Sequence, residues 1–173
     1  KRCCSSCHVS PCCCTASCKP TLNCHDEDKL VNALRDFISL ERELESSKTS
    51  MTMKPDFNLH DAFTIFDHCR VGAISQADLR DGLAAIGVFP TSDEVDLFFK
   101  RYDTNRDHRL NFSEFSEAFI AQDSYYAHML NRRPSNHRQS CHRRDDCFFA
   151  DTQVEFRNMW RVHFKVELAA EGV

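Results

Sequence analysis

Asp67 and Asp103 lie 36 residues apart, and the residues around them repeat in register. Before Asp67 the apolar positions are Leu59, Ala62, Phe63 and Phe66; before Asp103, at the same offsets, they are Val95, Phe98, Phe99 and Tyr102. Three- and four-residue steps of this kind mark one face of a helix. Twelve residues follow in each copy, "DHCRVGAISQAD" and "DTNRDHRLNFSE", with an apolar residue at the eighth place, Ile74 or Leu110. Helical periodicity then resumes, through Leu79, Leu83 and Ile86 in one copy and Phe115, Ala118 and Phe119 in the other. Between the copies, Thr91 and Glu94 stand at capping-box spacing just after Pro90. A chain built this way is constrained to two helix–loop–helix units related by an internal repeat.

The two loops differ in chemistry. Calcium takes six to eight oxygens, and a twelve-residue loop supplies them from places 1, 3, 5, 7, 9 and 12. In the second loop these places are Asp103, Asn105, Asp107, the Arg109 carbonyl, Asn111 and Glu114, so every donor is an oxygen. The sixth place, where glycine is expected because the backbone turns to positive φ, is His108. That departure costs on the order of 1 kcal/mol, less than tenfold in affinity. Arg106 and Arg109 offset part of the three carboxylate charges. The expectation is a working but weakened calcium site. The first loop keeps Asp67, Gly72 and Ile74 but has Cys69 at place 3, Val71 at place 5 and Asp78 at place 12. A thiol and an isopropyl group do not replace hard oxygens. This loop is expected to fold without binding calcium, with Cys69 as a small half-buried residue.

On these residues the stretch 57–122 resembles a paired EF-hand of the calmodulin and troponin C superfamily. The resemblance implies two units packed face to face, with Ile74 and Leu110 paired in a short β bridge. The longer layout, a cysteine-rich head and a "RRDDCFF…VEFRNMW" tail, resembles EF-hand proteins of ciliated protists and implies an axonemal setting. The expected fold is all-α: a paired EF-hand domain with a preceding helix, a C-terminal helix and a cysteine-rich irregular N-terminal arm.

The organisation reads as an arm over 1–25, helix and linker over 26–56, the EF-hand pair over 57–122, and a basic loop with a Trp-containing helix over 123–173. Fourteen phenylalanines against four glycines favour helices with aromatic packing. A helix is expected from Asp26 to about Ser46, with Leu30, Leu34, Phe37, Ile38 and Leu44 as its stripe, and "SSKTSMTMKPD" as a linker. This stripe suits the neighbouring domain or a partner helix. No apolar run reaches the roughly 18–20 residues that span a bilayer, and no secretory leader pattern is legible.

The 25-residue head holds eight of the eleven cysteines. Cys4 and Cys7 have the spacing that lets two thiolates reach one metal, and Cys14 and Cys18 would complete a tetrahedral zinc site. Cys12, Cys13, Cys24, His8 and His25 are alternative ligands. Disulfides, S-acylation of the "CC" and "CCC" runs, and a partner-moulded tail remain alternatives at this level. Membrane contact enters only with acylation.

Asn131–Arg144 carries five arginines and no acid. "RRPS" ending at Ser135 has the pattern of a basophilic kinase site, but a solvated basic loop is the simpler reading. An acidic surface such as tubulin fits this cluster; nucleic acid is not expected, since no base-stacking fold accompanies it. A last helix is expected to start at Thr152, with Glu155 in capping-box position and Phe156, Trp160, Phe164 and Leu168 in a row four apart. This row suits the aromatic groove of the EF pair, built from Phe63, Phe66, Phe98, Phe99, Phe115 and Phe119, or equally a separate partner. Nothing orders a nucleophile, base and orienter, so a non-enzymatic binding protein is expected. It would act in the cytoplasm, at a cilium or the cytoskeleton, in calcium-tuned protein–protein interaction or as a constitutive axonemal component.

Overall fold

The computed structural model describes residues 24–135 and 147–171. Helix α1 runs from Cys24–Met53, α2 from Leu59–Phe66 and α3 from Gln76–Ala85. The second repeat gives α4 (Ser92–Tyr102) and α5 (Phe112–Phe119), and α6 (Ser124–Asn131) and α7 (Ala150–Glu171) follow. Strands β1 (Ala73–Ser75) and β2 (Arg109–Asn111) pair antiparallel, with Ile74 opposite Leu110. Both residues are fully buried, so the eighth place of each loop closes the pair. The fold is all-α apart from this small ladder.

Local chemistry explains the boundaries. Thr91 and Glu94 form the capping box read from the sequence, and Ser75–Asp78 and Asn111–Glu114 form two more. The expected linker after Ser46 is instead helical to Met53. The hydroxyls of Ser47, Thr49 and Thr52 donate back to the carbonyls four residues earlier, which satisfies them within the helix instead of in a turn. Arg133 then closes the end of α1. Its guanidinium donates to the carbonyls of Thr52 at 2.8 Å and Phe57 at 2.7 Å, and to that of Lys54. Arg133 is therefore a distant C-cap rather than part of a solvated basic loop, and Ser135 beside it is half-buried. The stretch expected to be irregular after residue 123 contains α6, opened by an Asp123 side chain that accepts the Tyr125 N–H.

Helix α7 starts at Ala150, and the Thr152–Glu155 box does not form. Thr152 donates its hydroxyl to Asp56 Oδ1 at 2.6 Å, and Asp56 Oδ2 accepts the Phe149 N–H. A carboxylate between α1 and α2 thus caps the start of α7. Glu155 pairs with Lys54 and accepts from Ser50. Helices α1 and α7 lie along one another, joined by Lys54–Asp151 at one end and Arg101, bridging Glu41 and Glu167, further along.

Gly82 marks the tightest approach. A Cβ there would lie 2.3 Å from the Phe66 ring. That ring is itself held by Phe115, Phe156 and Trp160. Gly82→Ala gains about 1 kcal/mol of helix propensity but overpacks a ring that has no room to move. The expected net loss is about 1–2 kcal/mol, read as a lower urea midpoint at unchanged slope.

Candidate metal centre and the filled cleft

The second loop joins α4 to α5, and its backbone is wound around its own carboxylates. Asp103 Oδ1 accepts the Asp107 N–H at 3.2 Å, and Oδ2 accepts the His108 N–H at 2.9 Å. Asn105 Oδ1 accepts from Asp107 N–H and Asp107 Oδ1 from Arg109 N–H, each at 2.8 Å. Each of these oxygens keeps a lone pair for a further partner. His108 adopts φ 62°, so the sixth place takes the left-handed turn despite its side chain. Arg106 at φ 60° does the same, matching Arg70 at 54° in the first loop. That second demand was missed in the sequence, because nothing in an arginine signals positive φ.

Glu114, four per cent exposed, spans the loop. Its Oε1 accepts from the Thr104 N–H at 3.1 Å, the Thr104 hydroxyl at 2.9 Å and the Asn105 N–H at 3.3 Å. Its Oε2 accepts from Asn111 N–H at 3.0 Å, while Asn111 Oδ1 accepts from Ser113 and Glu114 N–H. Thr104 is thus a hydrogen-bond partner of Glu114 that ligand spacing alone did not single out. With Glu114 turned to these donors, no three His, Cys, Asp or Glu side chains form a metal-holding group among the described residues. The donor set itself is all oxygen and suits a hard cation. The ion would be held by Asp103, Asn105, Asp107, the Arg109 carbonyl, Asn111 and Glu114. Glu114 would turn both oxygens inward.

In the first loop Asp67 likewise accepts N–H groups, from Val71 and Gly72 at 2.9 and 2.8 Å. Cys69 is exposed rather than half-buried, and Val71 is 62% exposed. The loop turns by the same Asp67 mechanism while its third and fifth places face solvent. The zinc assignment to Cys4, Cys7, Cys14 and Cys18 lies outside the described residues, as do most of the arginines after Ser135.

Beside the loops, the cleft between the two units is filled by α7. Trp160 is fully buried, with its ring centroid 5.0 Å from Phe98 and 5.3 Å from both Phe66 and Phe119. Phe156 lies 5.8 Å from Phe57 and 5.7 Å from Phe119, and Phe164 stacks on Trp160 at 5.9 Å. Leu168, expected as the fourth anchor, is 47% exposed. The reason is geometric: each four-residue step advances about 40° beyond a full turn, so three steps carry Leu168 about 120° around the helix. The inward line instead passes through Met159, His163 and Glu167, all buried.

The last turn of α4, immediately before the loop, is tied to both long helices. Arg101 pairs with Glu41 of α1 at 2.9 Å and with Glu167 of α7 at 3.2 Å. The Tyr102 hydroxyl is 3.5 Å from His163 Nδ1. Burial pushes Glu167 up to about 7 against the opposing pull of Arg101. Burial, reinforced by Lys48 and Arg101, holds His163 well below 6.5. The two linkages have opposite sign. Unfolding lets His163 take a proton below pH 6.5, so its contribution falls with acid. Folding lets Glu167 hold a proton that the unfolded chain releases above pH 4.5, so its contribution rises with acid up to that point. Between these values they offset one another. Glu167→Gln is therefore expected to unmask His163, making stability relative to wild type fall toward pH 5 by up to about 1.4 kcal/mol per unit. Urea midpoints of both proteins across this range check it; parallel pH profiles would contradict it.

A family model for an EF-hand domain pair matches residues 56–120. Over 68 residues the chain is 35% identical to the probable calcium-binding protein CML11 of Oryza sativa subsp. japonica, covering 39% of this chain and 32% of that protein. It is 30% identical over 79 residues to a myosin regulatory light chain of Dictyostelium discoideum, covering 44% and 49%. It is also 35% identical over 63 residues to putative calmodulin-like protein 6 of Oryza sativa subsp. japonica, covering 36% and 37%. The chain thus spans about a third to a half of these curated relatives. No solved structure matches. The ladder, the capped loops and these matches define an EF-hand pair. Residues 56–120 thus form an EF-hand domain pair similar to that of calmodulin-like proteins. Among the described residues no helix is long and apolar enough to cross a membrane.

Proposed function

We propose that the chain binds one calcium ion through Asp103–Glu114 and uses it to tune contact with a protein partner. The position of Glu114 carries this reading. To coordinate an ion it must leave Thr104 and Asn105 and turn inward, which shifts the first turn of α5. The next residue, Phe115, packs on Phe63, Phe66 and Phe119, and Phe66 and Phe119 both touch Trp160. Calcium at the loop therefore acts on the seat of α7. The first loop serves as scaffold, and the reading requires no catalysis. A second reading, a constitutive component of a cytoskeletal assembly such as an axoneme, is favoured by the cleft already being filled from within the chain. Acrylamide quenching of Trp160, the one tryptophan, separates them. Calcium is expected to increase quenching in the first reading; unchanged quenching with the loop saturated supports the second.

A further inference from the structure

Helix α1 has 30 residues, about 45 Å of helix, but its first buried side chain in the described region is Leu44. The part before it carries four large apolar side chains in nine positions that stand in solvent: Leu30 at 38%, Val31 at 51%, Leu34 at 39% and Ile38 at 50% exposure. Val31, Leu34 and Ile38 share a shallow groove with Arg35, Ser39 and Arg42. An apolar strip flanked by charge on a projecting helix is the anatomy of a docking face.

We infer that this face pairs antiparallel with the same face of a second copy of the chain. A twofold interface must be complementary to itself, and this one is. When Leu34 lies opposite Arg35 of the second copy, Val31 meets Ile38 and Glu27 meets Arg42, each pair occurring twice by symmetry. At about 100° per residue, Glu27, Val31, Leu34, Arg35, Ile38 and Arg42 all fall within about 60° of one line along the helix. A parallel pairing would set the acidic start, Asp26, Glu27 and Asp28, against itself. It would also bring the two globular bodies side by side. The antiparallel pairing sets the acidic start against Arg42 and places the bodies at opposite ends. Of the other acids near Arg42, Glu41 pairs with Arg101 and Glu45 accepts the Gln122 N–H, while the exposed Glu43 lies more than about 100° around the helix from this face. Arg42 is therefore the charge that end of the face presents. The overlap spans about sixteen residues of each helix but buries only one face of it, an interface at or below the small end of specific contacts, so the dimer is reversible and concentration-dependent.

Sedimentation of the full chain under reducing conditions, which removes disulfide-linked species, tests this between about 5 and 200 µM, a range chosen for a micromolar constant. The expected mass rises from 20.0 kDa toward twice that value. Val31→Asp with Ile38→Asp, both at exposed positions, should abolish the rise while leaving the helical circular dichroism unchanged. Glu27→Arg alone should weaken association about five- to tenfold, and Glu27→Arg with Arg42→Glu should restore it. A chain monomeric throughout the range would overturn the proposal. So would a dimer indifferent to the aspartates, or a double charge reversal no better than the single one.

Discussion

Trp160→Ala is expected to lower stability by about 3–5 kcal/mol, the range for removing a large aromatic from a packed core. The size follows from position. Trp160 is fully buried and touches Phe66 of the first unit and Phe98 and Phe119 of the second. Its removal leaves a void bordered by both halves of the EF pair, and those rings are pinned by other neighbours. Phe119, for example, also packs against Phe57, Phe115 and Phe156. The indole N–H has no acceptor among the described residues. Trp160→Phe should therefore lose only part of this, because it removes an unsatisfied donor along with ring area. Urea unfolding of the three proteins checks the order. A Trp160→Ala chain within about 1 kcal/mol of wild type, the effect of a surface change, would mean that α7 does not hold the cleft.

The second large effect is on calcium. Glu114→Gln is expected to weaken binding roughly 100-fold, equivalent to about 2.7 kcal/mol, because the loop loses one of three carboxylates and its two-oxygen ligand. The fold should survive, since the one amide oxygen still accepts on one side, from Thr104 or from Asn111, where the two Glu114 oxygens now accept on both. His108→Gly should act in the other direction. At φ 62° the histidine carries a penalty on the order of 1 kcal/mol that glycine lacks. Tighter binding, by up to about fivefold, is expected if the turn is more firmly held in the bound loop. An equal calcium affinity in wild type and Glu114→Gln would remove the loop as the binding site.

The parts legible in the sequence were those set by short-range rules. Alternating oxygen donors from Asp103 to Asn111 announce a loop, and the apolar eighth places announce the ladder. The Thr91–Glu94 box announces α4, because all its partners lie within four residues. What escaped depended on distant partners. The same Thr–Glu spacing at Thr152 forms no box, because Asp56, 96 residues away, takes the hydroxyl. The end of α1 was hidden because its cap, Arg133, lies beyond α6. Leu168 was misplaced for a different reason: a strict four-residue rule drifts around the helix, and the burial of His163 and Glu167 goes against residue type. Sequence could not decide whether the Trp160 row served this chain or a partner, because only the packed cleft gives it a direction.

Of the two loops, the second is expected to bind calcium and the first to serve as its scaffold. Calorimetric titration of the reduced full chain with calcium tests it most directly. The expected result is a single binding event of one ion per chain, retained in Asp67→Ala provided that variant folds and lost in Glu114→Gln at the same concentrations. Two ions per chain would contradict the assignment of the first loop, and no binding would contradict that of the second.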